Sequence, residues 1–255
     1  MRSFAVGLSD VGLRRDHNED SLAVVDDCGL YVVADGMGGH RAGDVASRMA
    51  TDTIVQFFHA TSNEEVTWPF HVDTTLSEEE NRLLAAIRVA NRQIFERSCR
   101  SADHQGMGTT IVATMFSSEK ERMYIAHVGD SRCYRVRKQA ISLLTRDHSL
   151  VNDYLQAMPH LSEEQQRELP KNVITRALGM QESVAIDLQV DDAKEGDVYL
   201  LCSDGLSGMI TDEEMAEIIV KNSDLREMCR ELIAAANARG GEDNITVLAV
   251  RTGDR

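Results

Sequence analysis

The apolar positions along this chain change period several times, and each change marks an element. Residues 4–9, 22–26 and 30–34 are short apolar runs bounded by Gly and Asp, the form of strands. Over 42–58 the spacing turns helical, with Val45, Met49, Ile54, Phe57 and Phe58 on one stripe. A polar connection over 61–76 carries Trp68, Pro69 and Phe70, a candidate contact surface or an ordinary loop with a buried Trp. Ser77-Glu78-Glu79-Glu80 then has capping-box form and opens a second helix, with Leu83, Leu84, Ile87, Ile94 and Phe95 on one side. Strands resume at 109–116, 123–128, 133–136 and 140–144. Residues 147–178 are polar, contain Pro159 and Pro170, and read as a long excursion from the core. Val184, Ile186, Leu188 and Val190 alternate with polar residues, which predicts a half-buried strand, and 197–203 is a more continuously apolar, central one. Thr211-Asp212-Glu213-Glu214 caps another helix, and a last helix over 223–239 is closed by Gly240-Gly241 before a final strand at 244–251.

Strands therefore come in groups with short turns, and helices in pairs. That grouping predicts an α+β fold: two antiparallel β-sheets packed as a sandwich, flanked on the outer sides by pairs of α-helices. In 255 residues there is no linker, repeat or low-complexity run, so a single domain over 1–255 is expected.

Composition narrows the partners. A formal charge of -15 argues against nucleic acid or an anionic membrane, since both require a basic patch. No apolar run is long enough to span a bilayer, and the N-terminus lacks the form of a signal peptide, so a cytoplasmic location is expected. Cys28, Cys99, Cys133, Cys202 and Cys229 form no C-x-x-C pair and suggest neither a disulfide scaffold nor a zinc site. Cys133 and Cys202 read as small core residues.

The chemistry lies in acidic clusters at the ends of apolar runs: Glu19-Asp20, Asp35-Gly36, Asp204-Gly205 and Asp243-Asn244. Strand ends far apart in sequence can converge on one pocket, and all-oxygen carboxylate sets suit hard divalent cations. A buried strand ending in an Asp is costly unless a cation or hydrogen bonds compensate. Arg15, a few residues before Glu19 and Asp20, can hold a phosphate bidentately. Asp35-Gly36-Met37-Gly38-Gly39-His40 occupies the place of a phosphate-binding loop but lacks the Lys and Ser/Thr that such loops use. Its leading Asp suggests metal ligation, completed by the Gly36 carbonyl.

In order, R-x-x-N-E-D, D-G-M-G-G-H, G-M-G-T-T, H-V-G-D-S-R, S-D-G and D-N resemble the type-2C metal-dependent serine/threonine protein phosphatases in their compact bacterial form. The resemblance covers nearly the whole chain. It implies that Asp35 bridges two metal ions with the Gly36 carbonyl completing one, and that Asp204 and Asp243 ligate the other. Glu19 and Asp20 would act nearby, Arg15 would hold the substrate phosphate, and Asp130 would join Asp204 at a third, weaker metal site. Residues 147–178 would form a flap beside the active site. Met37 stands where some relatives carry a histidine, and Asp44 where many carry Glu.

The implied activity is hydrolysis of phosphoserine and phosphothreonine on proteins, with two Mn2+ or Mg2+ ions and a third where the weaker site is filled. Two cations about 4 Å apart activate a water and neutralise the phosphoryl oxygens, so no Cys or Ser nucleophile is needed. His17 or His40 would protonate the leaving oxygen. Phosphorylated proteins are the expected partners, with a Ser/Thr kinase as functional opponent and the chain a monomer. A catalytically silent module binding a phosphoprotein or kinase is the alternative, but Asp35, Asp204 and Asp243 are all present. An aspartyl-phosphate phosphatase would want a D-x-D motif followed by parallel βα units, and neither is evident.

Overall fold

The computed structural model describes residues 1–38, 42–62, 72–158, 160, 165, 169–170 and 173–253. Its strands are β1 (Arg2–Asp10), β2 (Asp20–Val25), β3 (Leu30–Met37), β4 (Gly108–Thr109), β5 (Ile111–Ser117), β6 (Arg122–Val128), β7 (Arg132–Arg137), β8 (Ala140–Leu143), β9 (Asp187–Asp192), β10 (Val198–Cys202) and β11 (Ile245–Gly253). The helices are α1 (Ala42–Ala60), α2 (Glu78–Arg100), α3 (Leu150–Ala157), α4 (Asp204–Ser207), α5 (Asp212–Lys221) and α6 (Leu225–Ala238).

One sheet has the order β1-β11-β10-β7-β8 and the other β2-β3-β5-β6-β9, and every named pairing is antiparallel. Tyr31, Val33, Val112 and Ile125 of one sheet meet Cys133, Tyr199, Leu201 and Leu248 of the other in a buried inter-sheet layer. On the outer face of the second sheet, α1 and α2 bury Ile54, Phe58, Leu83, Ile87 and Ile94. The outer face of the first sheet takes Met215 and Ile219 of α5 with Met228 and Leu232 of α6. The expected helix–sheet–sheet–helix layering is therefore present.

Local chemistry explains the element ends. Ser77 and Thr211 each accept from the amide three residues on while Glu80 and Glu214 return to the cap amides, so both capping boxes form. On α1 the fully buried line is Ala46, Ala50, Ile54 and Phe58, whereas Val45, Met49 and Phe57 pack only partly against the core. Small residues let that helix lie close on the sheet. The alternating run 184–190 yields a strand only from Asp187. Its partner strand β6 ends at Val128, one residue past the last ladder pair His127↔Asp187, so 184–185 would face positions beyond its end even though Val184 and Ile186 pack against the core. Trp68 to Phe70 lie outside the described residues.

Candidate metal centre

Strand register builds the site. In the β2–β3 ladder Asp20 pairs directly with Asp35, and neighbouring like charges in a ladder repel. The Asp35 backbone is fully engaged: its amide donates to Thr110 Oγ1 at 3.1 Å, while its carbonyl accepts from the Thr110 amide and from Thr109 Oγ1, both at 2.8 Å. One carboxylate oxygen of Asp20 accepts from Ser203 Oγ at 2.9 Å. Its other oxygen, like Asp130 Oδ1, is buried without a hydrogen-bond partner. Ser203 itself lies at the end of β10, next to Asp204.

The two termini of the chain close the same site. β1 pairs along β11 from Arg2↔Gly253 to Asp10↔Ile245, which sets the loop after Asp10 on the turn before β11. Asn244 joins them: its Nδ2 donates to the Val11 and His17 carbonyls at 2.9 and 3.0 Å, and its Oδ1 accepts the Glu19 amide at 2.8 Å. Beside it, Asp243 Oδ2 accepts from Arg15 Nη2 at 2.6 Å, and His17 Nε2 lies 3.2 Å from Glu19 Oε1.

Burial, and then the neighbouring carboxylates Asp20, Asp204, Asp130 and Asp243, push Asp35 well above the ordinary carboxylate range. Asp20 rises to about 7, chiefly through burial that its hydrogen bonds only partly offset, with the charges of Asp204 and Asp243 adding. Asp130 also rises to about 7, through burial and then Asp204 and Asp147. Asp204 is raised by burial and by Asp243. Carboxylates that raise one another this way need protons or cations. An all-oxygen set with two orphaned buried oxygens fits hard divalent ions.

The structure thus gathers Asp20, Asp35, Asp130, Asp204 and Asp243 into one electrostatic cluster, with Arg15 and Glu19 at its edge. Gly36 lies on β3, where a Cβ would fall 2.1 Å from the Gly43 carbonyl oxygen, so chain packing by itself requires a glycine there. Met37 is the last residue of β3 and pairs with Gly108. His40 lies outside the described residues. Sequence reading gave no role to Ser203, Thr109 and Thr110, or to the Asn244 side chain. Thr109 and Thr110 belong to the G-M-G-T-T motif, but nothing local tells that they hold Asp35.

The chain matches the family model "Protein phosphatase 2C" over residues 14–248. It is 40% identical over 245 residues to "Serine/threonine phosphatase stp" of Listeria monocytogenes, covering 95% of this chain and 93% of that protein. It resembles the crystal structure of the Mycobacterium tuberculosis serine/threonine phosphatase PstP/Ppp with a TM-score of 0.85 and 32% identity, covering both chains completely. A PstP catalytic domain in complex with two manganese ions superposes with a TM-score of 0.81 at 32% identity, covering 99% of each chain.

Proposed function

This chain belongs to the protein phosphatase 2C family, and from that premise we propose that its carboxylate cluster binds divalent cations to hydrolyse protein phosphomonoesters. It is a serine/threonine protein phosphatase of the type found in its bacterial relatives. The observation that carries the site reading is the Asp20–Asp35 pair, opposed in one ladder and joined by Asp204, Asp130 and Asp243. A silent binding module would have no use for so costly an arrangement.

In this reading Asp35, the Gly36 carbonyl, Asp204 and Asp243 hold two Mn2+ or Mg2+ ions, with Glu19 and Asp20 supporting them. Asp130 and Asp204 hold a third, weaker one. When bound, the cations supply Lewis acidity, which neutralises phosphoryl charge and makes water a competent nucleophile near neutral pH. Arg15 binds the phosphate dianion at the mouth of the cluster, where its guanidinium is half-exposed. Ser203 holds Asp20 through its hydroxyl, and the nearby Cys202 thiol is pushed up to about 12 by burial, so neither serves as nucleophile. His17, within reach of Glu19, or His40 protonates the leaving oxygen.

Residues 1–255 act as one catalytic domain with 147–178 as a flap, α3 being its outgoing arm. Phosphoproteins are its substrates, a Ser/Thr kinase opposes it in signalling, and the chain works as a cytoplasmic monomer. None of the helices among the described residues is long and apolar enough to cross a membrane. Chelation with EDTA should abolish phosphate release from a phosphothreonine peptide, and Mn2+ should restore it. Full turnover in metal-free buffer, or a trapped phosphoenzyme, would sink this reading.

A further inference from the structure

Two imidazoles and a carboxylate, His127, His148 and Asp187, gather at the root of the 147–178 excursion with ligand atoms all within 4.8 Å of one another. Such a donor set suits a transition metal, yet its hydrogen bonds assign it elsewhere. The Gly129 amide donates to His148 Nδ1 at 3.1 Å, so the neutral ring carries its proton on Nε2, which faces Asp187 Oδ2 at 3.4 Å. A protonated nitrogen has no lone pair to give a cation. Arg176 already supplies the positive charge: its Nη1 donates to Asp187 Oδ1 at 2.8 Å and lies 3.2 Å from His148 Nε2. His127 stacks on His148 with centroids 4.8 Å apart, and its Nε2 donates to the Arg146 carbonyl at 2.8 Å.

What the cluster grips is Gly129. Its amide ends on the His148 ring, and its carbonyl accepts the His148 backbone N–H at 2.9 Å. Both backbone polar groups of the residue before Asp130 are thus satisfied by one histidine. On the opposite side Gly129, at φ +107, has no room for a Cβ, which would fall 2.7 Å from Thr110, and Thr110 Oγ1 meets Ser131 Oγ at 2.7 Å. Asp130 Oδ1 is held on this clasped turn, buried and without a hydrogen-bond partner.

We propose that His148 is a positioning residue for Asp130, fixing the turn 129–131 so that the Asp130 carboxylate stands beside Asp204 for the peripheral cation. The His148 carbonyl also accepts the Thr175 amide at 2.8 Å, so the same residue ties this turn to the returning end of the excursion. This rests on the reading of Asp130 as ligand to a third, weaker cation.

The test is calorimetric titration of the chelator-treated full chain with Mn2+, for wild type, Asp130→Asn, His148→Gln and His148→Asn. Asp130→Asn identifies the weak event. If the wild-type chain shows no weak event that this variant loses, Asp130 holds no cation, and the site reading falls together with the proposal. Where the event exists, His148→Gln removes the acceptor opposite the Gly129 amide. It should weaken that event about tenfold or more, the scale of lost outer-shell support, with the core pair within about twofold. His148→Asn, whose Oδ1 stands where Nδ1 stood, should recover binding to within about threefold of wild type. A weak event unchanged in His148→Gln, equal losses in both His148 variants, or an equal loss at the core pair overturns the proposal. Should circular dichroism show His148→Gln unfolded, Asp187→Ala decides instead. Removing the partner of Nε2–H lets the proton move to Nδ1 against the Gly129 amide, and the weak event should fall severalfold; an unchanged affinity overturns the proposal.

Discussion

Asp20 and Asp35 stand opposite each other on adjacent strands, and burial drives both toward the neutral form. At this scale the chain's acidity becomes specific chemistry, because a cation removes a penalty that the protein leaves uncompensated. Arg15 is the countercharge at the rim, bonded to Asp243. Arg15→Ala should raise KM for a phosphopeptide about ten- to a hundredfold, the loss of one charged hydrogen bond, with kcat little changed. An unchanged KM would make Arg15 a surface residue. A second outcome concerns pH. Asp20 and Asp130 titrate at about 7 in the folded chain against about 3.9 unfolded, so the folded state keeps protons that the unfolded state has released. Their contribution is fully present below the unfolded value and lost as pH rises through about 7. His127 and His148, held low first by burial, act oppositely but only below about 6.5. The Tm of chelated protein should therefore fall between about pH 6.5 and 8, less steeply in Asp130→Asn. A Tm rising over that interval would contradict the assignment.

Elements carry these residues to one place, and their close approach sets tight limits. β3 can pass α1 at Gly36 only without a side chain, since a Cβ there would fall 2.1 Å from the Gly43 carbonyl and 2.6 Å from that of Glu19. Gly36→Ala should cost about 1–3 kcal/mol of stability, the range for overpacking. It should also lower kcat, because backbone shifts there move Asp35 and Glu19 together. Chemical denaturation beside steady-state kinetics checks both, and native stability in Gly36→Ala would show the contact to be soft. Much at this scale was legible beforehand. Both capping boxes were readable because cap and glutamate lie three residues apart. The start of β9 was not, because it depends on where β6 stops.

For the whole molecule, cation binding is a link between distant parts of the chain. Asp20 and Ser203 are 183 residues apart, yet they share a hydrogen bond inside the cluster. A ligand bound only by the folded chain stabilises it by about 2.7 kcal/mol at a hundred times its dissociation constant. Mn2+ should accordingly raise Tm in a concentration-dependent way, and Asp35→Asn should remove most of that rise along with at least about 100-fold in kcat. A Tm indifferent to Mn2+ in the wild-type chain would mean that the carboxylates hold no ion. With a formal charge of -15, bound cations also give the site the local sign that an anionic substrate requires.

The amino-acid sequence by itself determined the kinds of element, the layered α+β class and the carboxylate-rich motifs at the strand ends. Those rest on period, capping and residue type, which are local properties. Tertiary structure alone decided that Asp20 faces Asp35, that Thr109, Thr110, Ser203 and Asn244 hold Asp35, Asp20 and Glu19 in place, that Arg15 reaches Asp243, and that His148 clasps the turn before Asp130. Ladder register and side-chain hydrogen bonds between residues tens to hundreds of positions apart are fixed by the packing of two sheets, and no local pattern encodes them.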